Sequence, residues 1–339
     1  MPELTRAGEW QAEDYLEHLG WSGCGNWLAV GAPSGPLYFL EPSSNQWLAR
    51  PGHGQGLTGL AWQSIQGRLA TCGLDGRVRL WTPTQQEAER EIAGPDPWLS
   101  GLAWSQKSGQ LAVIGGRYLD IFDSDLNLLQ RCGPHSSTLA EVAWLPHSAR
   151  AITTGYMGLQ AWQVGSSTPA TEYRWKGSSL ALAISPNEKY IATGDQDCTV
   201  HFWKTRRPFE EESCMMSGFP SKVTRLDWDS TSRYLATAGA SDATLWDCSG
   251  PGPADRAPLV LGGDDRQFLT ALRFRPKSLW LAGGNEEGAL FLWEPTRSRQ
   301  PLLRQEAGAP ITQLAWCPRG ETLAVATAQG LLQLWRFCP

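Results

Sequence analysis

The stretch LTGLAWQSIQGRLATCGLDGRVRLWTP, residues 57–83, decides the fold. It holds two apolar runs of strand length, LTGLAW and RLATC, and a third, RVRLW. Turn-forming residues separate them: Gln66-Gly67 after the first run and Asp75-Gly76 after the second. Runs of four to eight residues bounded by Gly, Asp and Ser read as short β-strands joined by tight turns. No run is long enough, or has the right spacing, for an amphipathic helix.

The same pattern recurs along the chain. Copies begin at Leu16, Leu57, Leu99, Leu139, Leu180, Val223, Leu269 and Ile311. Their third runs end at Leu40, Trp81, Phe122, Trp162, Trp203, Trp246, Trp293 and Trp335, at spacings of 41, 41, 40, 41, 43, 47 and 42. A fourth, variable run such as AEREIAG or LLQRCG lies between copies. A period of about 40–45 residues with four strands per copy is that of propeller blades, and it excludes helical solenoids. Trp supports the register. Six Trp end the first run (Trp21, Trp62, Trp104, Trp144, Trp228, Trp316), and six end the third (Trp81, Trp162, Trp203, Trp246, Trp293, Trp335). Large flat side chains at fixed positions suit packing between stacked sheets, and we assign these twelve of the 18 Trp to the core.

At this point the chain resembles the WD40 family, over nearly its whole length. The second copy carries the resemblance best: Gly52-His53, Leu57, Leu60, Trp62, Thr71, Asp75-Gly76 and Trp81. The Trp-Asp pair stands literally only at Trp246-Asp247. The resemblance implies an all-β fold, a single β-propeller spanning 1–339. Eight four-stranded blades are expected over 15–337, with seven as the alternative. It also implies a structural hydrogen-bond set of His53, Thr71, Asp75 and Trp81. Other copies depart from that set. His135 and Thr153 match, but Met157 replaces the Asp; Thr193, Asp197 and Trp203 match, but Trp175 stands in place of the His. Those blades are expected to be held by packing instead.

The last copy stops after its third strand, and residues 1–14 precede the first copy. The expectation is that 1–14 supplies the missing outer strand of the last blade and closes the ring, hiding a bare sheet edge.

Composition bounds the function. A net charge of −5 gives no overall field for a nucleic-acid backbone. No stretch approaches a membrane span. The eight Cys form no CxxC pair, and the polar start MPELTRAGEW has no secretory pattern, so reduced thiols and a cytoplasmic protein are expected. The five His come without HExxH, a GxSxG elbow or metal-ligand spacing; Cys132 and His135, three apart, are the nearest approach. The glycine pairs at 115–116, 262–263 and 283–284 read as strand-end turns rather than phosphate loops. No cofactor, metal site or catalytic residue is expected.

Function is then expected in loops on a rigid scaffold. The connections into the inner strands and the turns between second and third strands gather on one face of a propeller. They carry Trp98, Tyr156, Trp175, Lys222, Arg266 and Phe268 as candidate partner-binding residues. Aromatic and Arg side chains dominate protein interfaces. Two longer segments, 204–219 and 247–263, are expected to project from the opposite face or outer rim. The reading is a non-enzymatic scaffold for protein–protein interaction, a monomer or a subunit of a hetero-complex. The alternative is a propeller that binds a small molecule or metal at its channel mouth.

Overall fold

The computed structural model describes residues 2–64, 66–166, 168–205, 214–263 and 267–339. Every element in them is a β-strand. The second copy shows how sequence becomes sheet. Leu57–Trp62, Leu69–Gly73, Arg77–Trp81 and Arg90–Ala93 pair antiparallel in chain order. The turn between the second and third strands needs a left-handed residue, supplied by Gly76 at φ +69°. Repeat five puts Cys198 at the same place, at φ +65°, against the preference of a residue with a side chain.

Among the described residues these strands form seven sheets arranged as a propeller: six of four strands and one of six. The sheet count is the alternative rather than the expected eight. The reason lies in repeats four and five, which share the six-stranded sheet. Arg150–Gln163 forms one uninterrupted strand that turns back at Tyr156-Met157, where Met157 has φ +81° and Gly158 φ +108°. The Thr153 hydroxyl on one limb receives the Trp162 indole from the other at 3.2 Å. Thr171–Ile184 likewise continues unbroken from the outer position of repeat four, where it pairs with Arg150–Gln163, to the inner position of repeat five, where it pairs with Tyr190–Asp195. Inner strands of consecutive repeats touch one another around the axis, and Ile311–Trp316 returns to His18–Trp21.

The core lies between neighbouring repeats. Phe39, Leu57, Trp62 and Trp81 pack across repeats one and two; Val78, Leu80, Leu99 and Trp104 pack across two and three. Each such side chain contributes about 1.5–3 kcal/mol on burial, so a repeat is stable only with both neighbours present.

Tryptophans ending the inner strands add a polar latch to this packing. The indole N–H of Trp21 donates to the Ala315 carbonyl at 3.0 Å, Trp62 to Gly20 at 2.7 Å, and Trp104 to Ala61 at 3.1 Å. Trp144 donates to Ala103 at 2.9 Å, and Trp316 to Arg273 at 3.2 Å. Each acceptor belongs to the preceding repeat, one residue before its own aromatic. The series stops where the sequence changes. Repeat five has Ile184 and repeat seven Phe274, neither with an N–H to give. In repeat seven the Phe274 amide donates to the Asp227 carboxylate of repeat six at 2.6 Å instead. Trp228 of repeat six is buried, its indole nitrogen has no partner, and its ring stacks on Tyr190.

Closure is a β-pairing. Glu3–Gln11 runs antiparallel to Leu331–Cys338, from Glu3 opposite Cys338 to Gln11 opposite Leu331. Leu4 is buried with Trp280, Trp316, Trp335 and Phe337. The segment 247–263, expected to project, is instead anchored: the Tyr190 hydroxyl donates to the Pro251 carbonyl at 3.2 Å, and Lys189 to Gly250 at 2.6 Å. In 204–219, Cys214–Met216 forms the outer strand of repeat five, while 206–213 lies outside the described residues.

Two stability predictions follow from these contacts. Trp62→Phe leaves the Gly20 carbonyl without its donor and is expected to cost about 1–3 kcal/mol more than Trp228→Phe, whose lost N–H has no partner. Urea denaturation of the two variants measures the difference; equal midpoint shifts would show that the latches add nothing to packing. Leu4→Ala empties a buried site in the closing strand and is expected to cost about 2–5 kcal/mol. An unchanged melting temperature would mean that this strand does not hold the ring.

Candidate functional site

The second repeat contains a connected polar set. The Trp81 indole donates to the Thr71 hydroxyl at 2.9 Å, and Thr71 Oγ1 lies 2.8 Å from His53 Nε2. His53 Nδ1 lies 2.9 Å from Asp75 Oδ1. Arg79 Nη1 lies 2.6 Å from the same His53 Nδ1, so this nitrogen has both a carboxylate and a guanidinium beside it. Arg79, which sequence reasoning did not single out, extends the set: it donates to Asp75 Oδ2 at 2.7 Å and pairs with Glu91 at 2.7 Å. His53 is fully buried, and burial is the largest influence holding its pKa below the usual value. These bonds tie the second and third strands of the blade to the connection that enters its inner strand.

Part of the set forms in copies expected to rely on packing alone. In repeat four the Trp162 indole reaches Thr153, and Thr153 Oγ1 lies 3.3 Å from His135 Nε2. His135 Nδ1 is occupied by the Arg117 carbonyl at 3.0 Å. With both nitrogens engaged, His135 has none free to join Cys132 on a metal. In repeat five Trp203 reaches Thr193 at 3.3 Å, and Trp246 reaches Thr237 at 3.2 Å in repeat six. In repeat seven the Thr position is Gly283, where a Cβ would lie 2.6 Å from the Trp293 ring. Trp293 therefore turns its N–H to the Gly262 carbonyl at 2.8 Å. Gly283 and Gly284 lie within the strand Leu281–Asn285, not at its end as the sequence suggested.

Repeat five departs furthest. His201 occupies the register of Arg79, and Trp175 leans over it with ring centroids 4.0 Å apart. Asp195 is buried, with Nε2 of His201 at 3.9 Å from Oδ2. Both ring nitrogens of His201, Oδ1 of Asp195, Oγ of Ser179 and Nε1 of Trp175 have no hydrogen-bond partner. Burial pushes the Asp195 carboxyl up to about 6, and burial lowers the His201 pKa.

The loop face presents a different chemistry. Among the described residues ten large apolar side chains are exposed; six sit on the connections into inner strands or on the second turns. They are Tyr15, Leu74, Trp98, Tyr156, Met157 and Phe268. Trp98 is 69% exposed, Tyr156 50% and Phe268 44%. Lys222 is exposed on the same face. Trp175, expected among the binding residues, is half-buried against His201, which places it in the blade rather than at the surface. Arg266 lies outside the described residues. Leu74 and Tyr15 were missed: each is a single apolar residue in a turn, and a scan for aromatics and Arg passes over Leu74.

At the channel mouth the connections leave a recess of about 720 Å³, lined by Glu17, His18, Leu74, Asp96 and Trp98 with neighbouring backbone. Among the described residues no group of three metal-ligating side chains occurs.

Comparisons with known proteins agree with this architecture. The family model described as WD domain, G-beta repeat matches residues 45–82 and 172–204. The chain is a β-propeller with WD repeats matched in these two segments. It is similar to Meiotic fizzy-related protein 1 of Schizosaccharomyces pombe, 25% identical over 263 residues, covering 62% of each chain. Cell division cycle 20.1, cofactor of APC complex, of Arabidopsis thaliana is 26% identical over 246 residues, 66% of this chain and 50% of that protein. WD repeat and HMG-box DNA-binding protein 1 of Xenopus laevis is 22% identical over 302 residues, 84% of this chain and 26% of that one. The chain thus spans less than two thirds of the length of these relatives. The crystal structure of the computationally designed Ika8 protein superposes with a TM-score of 0.80 at 17% identity, covering 96% of this chain and 97% of that one.

In this propeller the complete polar set of repeat two and the unsatisfied set of repeat five give opposite responses to charge removal. Asp195 has a folded-state pKa raised above its unfolded value, so the folded chain binds that proton more readily. Its ionised form is a cost that is full above about 6 and shrinks as pH falls from there toward the unfolded value of 3.8. Asp195→Asn is therefore expected to be more stable than the wild type at pH 8. That advantage should shrink toward pH 5, by on the order of 1 kcal/mol per pH unit at most. Guanidinium melts of both proteins across this range check it; a variant less stable at pH 8 would show that the carboxylate has a stabilising partner.

Proposed function

We propose that the protein is a non-catalytic scaffold that binds other proteins through the loop face of its ring. The observation that carries this reading is the grouping of Trp98, Tyr156, Met157, Leu74 and Phe268 as exposed side chains on one set of connections. Exposed apolar surface on a closed, rigid ring costs free energy unless a partner covers it, and aromatic anchors are the residues that contribute most at protein interfaces. The relatives support the class of activity: one is named a cofactor of the APC complex. The polar set of repeat two binds strands of its own blade to one another, which supports a structural part for it. We also propose a cytoplasmic location, a reading supported by eight scattered Cys that form no CxxC pair.

Affinity purification of the tagged full chain, with mass spectrometry, tests this. A Trp98→Ala/Tyr156→Ala/Phe268→Ala variant is expected to keep its melting temperature and lose the partner that the wild type retains. Retention of the same partners by the variant would remove the loop face from the proposal. Absence of any partner with the wild type, together with stabilisation by a small metabolite, would favour ligand binding at the channel mouth.

A further inference from the structure

The loop face carries more than one recess among the described residues; the one at the channel mouth, about 720 Å³, is larger than the one beside Tyr156 and Met157, and its lining is selective. Glu17 and His18 come from repeat one, Leu74 from repeat two, Asp96 and Trp98 from repeat three. No Lys or Arg lines it. Asp96 Oδ1 accepts the Trp98 backbone N–H at 3.1 Å, which fixes the turn that holds the indole out in solvent. The recess therefore combines two carboxylates, an exposed aromatic face and an aliphatic wall.

We propose that this recess binds an arginine side chain of a partner protein, presented beside an apolar residue. The inference rests on the protein-binding reading above and names its chemistry. A guanidinium matches carboxylates through its planar donors and lies favourably over an aromatic face, a combination a compact ammonium meets less well. The chain builds this arrangement internally elsewhere. Arg131 donates to both oxygens of Asp120 at 2.8 Å, and its guanidinium lies 5.9 Å above the Tyr118 ring centroid. At the channel mouth the acceptors and the ring are present, and among the described residues no Lys or Arg lines the recess.

The surrounding charges point the same way. Across the lumen, Arg225 feels both Glu17 and Glu141. Its Nε and Nη1 are nevertheless committed to the carbonyls of Thr270 at 2.8 Å and Thr224 at 3.2 Å. Burial pushes the Glu141 carboxyl up to about 7, so the acidic groups that line the mouth itself are Glu17 and Asp96. His18 adds no positive charge at neutral pH, because burial lowers its pKa. Deeper in the channel Arg273 is offset by Asp227 at 3.7 Å. An incoming cation would be attracted, and Leu74, with Pro33 and Leu57 beside it, offers apolar contact to the neighbouring residue.

Calorimetric titration of the full chain tests the proposal with the blocked peptide acetyl-Ala-Leu-Arg-Leu-Ala-amide and the same peptide carrying citrulline, which keeps the shape and removes the charge. The arginine peptide is expected to bind about tenfold more tightly than the citrulline peptide. A loss of about tenfold is expected in Trp98→Ala, and again in Glu17→Gln/Asp96→Asn. Asp125→Asn, an exposed carboxylate away from the mouth, should change nothing. Equal binding of the two peptides, no binding of either, or binding indifferent to the mouth variants would overturn the proposal. A lysine peptide binding as tightly as the arginine one would overturn the choice of arginine. Partner retention separates this inference from the broader one. Partners lost in Trp98→Ala but kept in Glu17→Gln/Asp96→Asn leave the scaffold reading standing and remove the arginine; no partner with either protein removes the scaffold reading itself.

Discussion

The antiparallel pairing of Glu3–Gln11 with Leu331–Cys338 is the contact on which every other one depends. A repeat in this fold has no core of its own: its apolar side chains are buried only against the repeats on either side. An open array would leave the first and last repeats each with a bare face and an unpaired sheet edge. Pairing the two ends of the chain gives all repeats two neighbours at once. The cost of ordering a loop that spans the whole molecule grows only slowly with its length, and the buried Leu4 and Phe337 offset it locally.

Around the ring the interfaces are not equal. Indole latches hold the arc from repeat seven through eight and one to four, and they end where Ile184 and Phe274 replace Trp. The same sector contains the six-stranded sheet, the partnerless Trp228 nitrogen and the unsatisfied atoms around Asp195 and His201. Local rules broken together in one region mark a place where the sequence serves something other than stability. The complete set of repeat two, with Arg79 and Glu91 added, stands in the fully latched arc. Rigidity is concentrated in the half of the ring that also carries Trp98 and the channel recess.

Most of the fold was legible because period and turn chemistry are local. The spacing from Leu40 to Trp335 located the third strands, and the missing fourth strand of the last copy pointed to the N-terminus. The sheet count was less accessible. Whether two copies share one sheet depends on whether the strands run unbroken through Tyr156-Met157 and 176–178, which no side-chain pattern announces. The polar set was readable in repeat two from residue identity alone. Its partial survival in repeat four was not, since His135 finds the Arg117 carbonyl in place of the absent Asp. The Trp latches were invisible for a related reason: the indole donor is in the sequence, but its acceptor is a backbone carbonyl some forty residues away.

The exposure of the candidate binding residues was legible in part. Aromatic residues in turns point to Trp98, Tyr156 and Phe268, all exposed on the loop face, but the same reasoning selects Trp175, which lies over His201. An aromatic in a turn has two ways to cover its area, against a partner or against its own blade, and the neighbouring residue decides. Beside Trp175 the sequence places an imidazole where repeat two has the charged Arg79, so the ring has an apolar-edged surface to lie on. Beside Trp98 it places Asp96, whose carboxylate is drawn to the Trp98 amide and holds the turn upright. One substitution in the third strand thus folds an aromatic inward, and one acid in a turn keeps another outward, where a partner can reach it.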